Sequence, residues 1–290
     1  MKVVIGALSG LLVIITALGT LLALKKFPSP SRGSGRQGSY AASPQQRTPA
    51  PPPPPSVANY DLVLEDMGFI RIVEGSFPIG SMETEPGHAD GERRRLAFVT
   101  DDFFIQPTEM TVSQVERWLT GDIPSNASTQ PATSITWDEA QQVCDSLNEH
   151  FDDYEFRLPT EEEWEYAGRA MSSLPWAVPQ EDQPDLSDAI AKARAGDDDF
   201  LTRFVSRYAN FNANEVLDVA SLRPNQWGLF DMQGNVWEWC DDDLGDGRRV
   251  LRGGAWSATH RNGCRIAVRG EEYGDVRKES IGFRVIAIPR

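Results

Sequence analysis

The chain has 290 residues, a formal net charge of −15, and a composition that is 40% hydrophobic and 9% aromatic, enough for one substantial domain with appendages. The charge is unevenly placed: the first 56 residues hold six Lys or Arg and no Asp or Glu, so all 43 acidic residues fall in the remainder. A domain that acidic is repelled by nucleic acid and by anionic lipid, which excludes nucleic-acid binding, and three cysteines and three histidines without a CxxC exclude a zinc site of ordinary spacing.

Residues 1–26 read as an N-terminal membrane anchor. Val3 to Leu24 form 22 uncharged positions rich in Leu, Ile, Val, Ala and Gly, long enough to cross a hydrocarbon core as a single transmembrane helix. The run exceeds the apolar region of a cleaved signal, roughly 7–15 residues. Residues 27–58 form a Pro/Ser-rich linker ending in Pro49-Ala50-Pro51-Pro52-Pro53-Pro54-Pro55. Such a segment buries no core, favours a stiff polyproline spacer, and also suits a proline-binding module. The folded domain then runs over 59–290.

Within it, Phe69–Val73 and Gly75–Gly80 alternate like the two strands of an opening hairpin. Three capping boxes follow. Thr111-Val112-Ser113-Gln114 opens a helix through Val115, Trp118 and Leu119. Thr136-Trp137-Asp138-Glu139 opens a second, in which Ala140, Val143, Cys144 and Leu147 share a face, so Cys144 reads as a buried apolar filler. Thr160-Glu161-Glu162-Glu163 opens a third, with glutamates placed favourably at the positive end of the helix dipole. Residues 179–203 read as acidic and irregular, with a short helix near 189–195. Val250–Trp256 and Gly282–Ala287 read as strands.

The segment Gly234-Asn235-Val236-Trp237-Glu238-Trp239-Cys240 concentrates the most chemistry. In an extended chain Val236, Glu238 and Cys240 share one side, and Asn235, Trp237 and Trp239 the other. A carboxylate set among large aromatics needs partners, because burying it unpaired is costly. Glu238 is therefore either an internal hydrogen-bond acceptor, with Arg252, Arg265 and Arg284 as candidate partners, or a cation ligand.

Several segments, in order, resemble the formylglycine-generating-enzyme (sulfatase-modifying-factor) family: Phe77–Ser81, Ile135–Ala140, Phe156–Ala167, Tyr208–Phe211, Trp227–Met232, Gly234–Trp239, Arg252–Trp256 and Gly282–Arg284. The resemblance implies a loop-rich α+β domain related to the C-type lectin fold. It does not imply one function, since function lives in the site. Some members oxidise a sulfatase cysteine with copper and oxygen, others belong to iron-dependent sulfoxide synthases, and others are non-catalytic binding or regulatory domains. The copper enzymes carry two cysteines five residues apart after the Gly-Gly-aromatic strand, a soft thiolate pair suited to copper(I). Here the matching positions are Ala258 and about Gly263, beside Cys264, so neither formylglycine-generating activity nor copper is expected. Iron is not expected either, because the helical partner domain and the histidine triad are absent from this sequence.

By the same resemblance, calcium is expected at Asp231, Gly234, Val236 and Glu238, as two carboxylates and two carbonyls. A second calcium site at Asn210 and Phe211 lacks its completing loop. Cys240 and Cys264 match a disulfide of non-catalytic relatives if the domain lies outside the cytoplasm. Trp256, His260, Arg261 and Arg265 form the candidate binding loop. The expectation is a membrane-tethered, catalytically silent module at the inner membrane, its domain on the periplasmic side although the positive-inside count points the other way. Its expected partner is a protein or a glycan, and its expected setting a signalling or secretion apparatus such as type VI secretion. The alternative is a metal-dependent oxidoreductase with a non-standard site.

Overall fold

The computed structural model describes residues 60–120 and 128–290. The anchor expected at 3–24 and the linker at 27–58 lie outside the described residues, and among those described no helix is long and apolar enough to cross a membrane. The fold is mixed α/β. Strands β1 (Leu62–Leu64), β2 (Met67–Ile72), β3 (Gly75–Ile79), β4 (Arg95–Val99) and β5 (Phe103–Ile105) precede helices α1 (Val112–Trp118) and α2 (Trp137–His150). Then come β6 (Tyr154–Arg157), α3 (Glu161–Arg169), α4 (Gln183–Arg194) and α5 (Asp198–Val205). The chain closes with β7 (Trp237–Asp243), β8 (Arg248–Arg252), β9 (Arg269–Tyr273), β10 (Ile281–Gly282) and β11 (Ile286–Pro289).

These strands form three sheets: an antiparallel five-stranded sheet in the order β1-β2-β5-β11-β6, a four-stranded sheet β10-β7-β8-β9, and the ribbon β3-β4. The five-stranded sheet buries both faces. One side contributes Met67, Phe69 and Phe156 to a core with Val143 and Leu147 of α2 and with Trp239 and Phe283. The other contributes Ile72, Ile105 and Ile286 to a second core with Trp164 of α3, Cys240, Val250 and Ile266. Alternation along β7 divides Trp239 from Cys240 between these two cores, as period-two geometry requires.

All three capping boxes form: Thr111, Thr136 and Thr160 each accept from the backbone three residues on, while Gln114, Glu139 and Glu163 reach back to the cap. Four sequence expectations are corrected. The opening hairpin does not pair β2 with β3; β2 sits between β1 and β5, and β3 pairs with β4. Residues 179–203 are more regular than expected: the helix read near 189–195 is the second half of α4, which begins at Gln183, and α5 follows. Leu186, Ala189 and Ile190 recur at helical spacing among the acidic residues and pack with Leu201 and Phe204 in a third core. The closing strand is interrupted: β10 and β11 flank residues 283–285, where Arg284 turns inward. The strand expected over Val250–Trp256 ends at Arg252, because Gly253 and Gly254 take positive φ.

Candidate functional site

The loop before β7 is pinned by close backbone approach. Gly234 has φ +82°, and a Cβ there would lie 2.1 Å from the Asn210 carbonyl oxygen, so only glycine fits. Asn235 donates its backbone N–H to the Asn210 carbonyl (3.0 Å) and accepts from Trp256 N–H (2.8 Å), which ties the loop to the segment after β8.

β7 then delivers Glu238 to a fully buried polar centre. Arg284 grips its carboxylate with both arms of its fork, Nε to Oε2 at 2.6 Å and Nη2 to Oε1 at 2.7 Å, and the Trp164 indole donates to Oε2 at 2.7 Å. Arg284 also donates to the carbonyls of Gln106 (3.1 Å) and Phe230 (3.0 Å). Glu238 thus acts as an internal hydrogen-bond acceptor, and Arg284 is its arginine partner. The other two candidate arginines serve elsewhere. Arg252 pairs with buried Glu165, which Arg169 shares, and Arg265 pairs with Glu92 at 2.8 Å and Glu85 at 2.7 Å.

Two further carboxylates crowd this centre. Glu109, fully buried, accepts from Asn235 Nδ2 at 3.1 Å through Oε1, and its carboxyl shares a side-chain hydrogen bond with Asp231. Burial, with the charges of Asp231 and Glu238 adding to it, pushes the Glu109 carboxyl well above its usual range. Asp231 accepts from Ala220 N–H at 2.7 Å, and burial raises it to about 6. Glu109, Asp231 and Glu238 thus face a single arginine. Among the described residues, no three His, Cys, Asp or Glu side chains are grouped to hold a metal, so a cation here requires backbone carbonyls. In Glu238, Oε2 is saturated by Arg284 and Trp164, whereas Oε1 keeps one lone pair. Glu109 was not singled out by sequence reading; its signal was a lone carboxylate in Phe103–Met110, an otherwise uncharged run.

The two positions that match the copper pair come together. A Cβ built on Gly263 would lie 3.0 Å from the Ala258 Cβ, so residues 258 and 263 face each other and neither carries sulfur. Cys264 does not substitute, because its thiol turns inward toward the Ala255 carbonyl at 3.8 Å and burial raises its pKa to about 12. All three cysteines are free. The expected Cys240–Cys264 disulfide is not formed, since Cys240 packs with Trp164 and Val250 while Cys264 packs in the separate core beneath α4 and α5.

The candidate binding loop separates into surface and interior. His260 is about half exposed and borders a groove of about 580 Å³ with Met82, Leu174, Trp176, Ile190 and Leu201. Trp256 is half-buried and leaves its indole N–H unpartnered. Arg261 and Arg265, by contrast, are buried. Arg261 clamps Asp198 and Thr202 of α5 at 2.7 and 2.9 Å, and Arg265 braces Glu85 and Glu92. Arg261 lines the groove while tied to α5, whereas Arg265 is not among the groove's lining residues.

The family model for the sulfatase-modifying factor enzyme 1-like domain matches residues 59–288. The chain belongs to the FGE-sulfatase family. Relatives of this FGE-sulfatase chain include the inactive C-alpha-formylglycine-generating enzyme 2 of Bos taurus, 30% identical over 175 residues covering 53% of this chain and 49% of that protein. They also include the formylglycine-generating enzyme of Streptomyces coelicolor, 29% identical over 186 residues covering 53% of this chain and 51% of that one. The chain thus spans about half the length of these relatives. The solved structure of PvdO from Pseudomonas aeruginosa superposes with a TM-score of 0.65 at 21% identity, covering 77% of this chain and 94% of that one, and shares the FGE-sulfatase fold.

Proposed function

We propose that this FGE-sulfatase domain is a catalytically silent binding and regulatory module. In this reading residues 3–24 tether it to the inner membrane, the 27–58 segment spaces it from the bilayer, and the domain works on the periplasmic side. In this reading its loops, carried on a rigid base as the family resemblance to the C-type lectin fold implies, recognise a partner. The observation that carries the proposal is the facing pair Ala258 and Gly263. A copper(I) site of two thiolates has no sulfur there, and the buried thiol of Cys264 points away. One relative bears the name of an inactive enzyme, which agrees with this reading. The groove beside His260 supplies the recognition surface for a protein or glycan, in a signalling or secretion apparatus such as type VI secretion.

We also propose calcium at Asp231, Gly234, Val236 and Glu238. The excess of buried carboxylate over Arg284 supports it, because a divalent cation supplies positive charge to three carboxyl groups that otherwise share one arginine.

The test is a cross-linked pull-down of the full chain from native membranes, with Met82→Asp and His260→Ala as groove variants. One stoichiometric partner captured by the native chain and lost from both variants is the expected result. Capture unchanged by either variant moves recognition away from the groove. Oxygen uptake by the purified protein with a cysteine-containing peptide would overturn the silent reading.

A further inference from the structure

The β3-β4 ribbon has an open side. Pro78 stands opposite Leu96 in the register of this pair. Proline has no N–H, so Pro78 and Leu96 occupy a non-hydrogen-bonded position, and antiparallel alternation then turns the N–H and C=O groups of Leu96 and Phe98 away from β3. Among the described residues no strand pairs with β4 on that side. The outward side chains there are apolar: Leu96 and Phe98 are each 61% exposed, while Ala97 and Val99 between them are buried against α3. β4 has no proline, no bulge and no lysine, and its one charged residue, Arg95, is drawn to Glu162 of α3.

The residues flanking this edge are oppositely charged. Arg93 and Arg94 precede it and Asp101 follows it. Among the described residues neither arginine has an ion partner, and Asp101 accepts only from the neighbouring Thr100 hydroxyl at 2.8 Å. Arg95 is held by Glu162 of α3 at 2.5 Å, and Asp102 by Arg71 at 2.5 Å, so these two are already paired.

We propose that β4 pairs antiparallel with β4 of a second copy of this chain, joining two ribbons into a four-stranded sheet across a two-fold axis. The register that sets the bonding groups of Leu96 against those of Phe98 in the second copy places Ala97 on the axis. The same register sets Arg93 against Asp101 of the second copy, and the two-fold repeats every contact. Backbone bonds, the four apolar side chains and the two unpaired charges are therefore satisfied by one arrangement. An acidic peptide laid on the same edge would meet Arg93 and Arg94 but would also face Asp101, which the self-pairing uses. An interface of two strands and four apolar side chains belongs to the small, transient class, so the dimer is expected to depend on concentration.

Sedimentation equilibrium of the full chain in density-matched detergent tests this. The native chain is expected to show a reversible monomer–dimer equilibrium. Arg93→Asp and Asp101→Arg should each weaken it about tenfold or more, since each sets like charges across the axis, and the double variant should recover most of the loss. Phe98→Asp should abolish the dimer, with an unchanged thermal melt because that side chain is exposed. A native chain that stays monomeric throughout would overturn the proposal. So would a dimer indifferent to Arg93→Asp and Phe98→Asp, which would place self-association on another surface.

Discussion

Glu238 and Arg284 show how much of this domain rests on single buried groups. Both have no solvent exposure, and Arg284 holds the last strand, the 106–109 segment and β7 in one bonded unit. Replacing Arg284 with Met leaves the Glu238 charge buried and unmatched beside Asp231 and Glu109. The expected loss is about 3–5 kcal/mol, read as a lower urea midpoint. Arg284→Lys is expected to recover little, because a lysine has one point charge where the fork makes two parallel bonds and two carbonyl contacts. At the same scale, the facing positions 258 and 263 make the missing chemistry testable. Thiols at both, A258C with G263C, should give a chain that competes with a chromophoric chelator for about one copper(I) ion, whereas each single variant should not. A Cβ at Gly263 would meet only the Ala258 Cβ, at 3.0 Å, so the loop must give by a few tenths of an ångström to carry both side chains. If the double variant takes up no copper, these side chains do not converge as the geometry states.

The elements were legible where local chemistry alone determines them. The three capping boxes were read from four-residue patterns and form as read, because the bonds that make them span three residues. The partner of Glu238 was not legible: three arginines of the same chemistry were available, and only the fold brings Arg284 to it across 46 positions. The opening hairpin failed for a related reason, as two adjacent alternating runs carry no mark of which edge each will occupy. α4 was read only in its second half, near 189–195, because acidic residues mask the apolar spacing of its start. Glu139 at the second box permits a test on an element. Burial raises its pKa, but the bonds from Arg277 and from Thr136 outweigh that, and the net shift is downward. A carboxyl with a depressed folded pKa stabilises the fold above its unfolded value, and that stability is lost as pH falls through the folded value. Glu139→Gln keeps an acceptor for the Thr136 N–H and removes the charge. Its cost is expected to be about 0.5–1 kcal/mol at neutral pH, since half-exposed Arg277 is screened by solvent. The difference should shrink toward zero as pH falls through the folded-state pKa of Glu139, which lies below the ordinary glutamate value. Paired chemical melts at several pH values check the slope, and a cost independent of pH would show that only the cap matters.

Across the whole molecule the three cysteines sit in three separate cores. Cys144 lies with Val143 and Leu147 under α2, Cys240 with Trp164 and Val250 on β7, and Cys264 with Leu201 and Phe204 beneath α5. Burial raises the pKa of all three thiols, so none reacts readily from the native state. Each thiol therefore reports the opening of its own core, and the order of labelling shows whether the domain opens as one body. The first two cores share the five-stranded sheet and β7, so neither can open without breaking strands that the other needs. The third is built chiefly from α4, α5 and the loops around them, and no sheet strand contributes to it. Thiol labelling under mild denaturant is thus expected to modify Cys264 first. Cys144 and Cys240 should follow together at the rate of global unfolding, with peptide mass mapping to identify each site. Simultaneous labelling of all three would mean that α4 and α5 are coupled to the sheets as tightly as the sheets are to each other. The wall of the groove would then be as rigid as the base that carries it. Early labelling of Cys264 alone would instead mean that the α4–α5 wall opens independently, which places the adaptable part of the domain at the surface where a partner is proposed to bind.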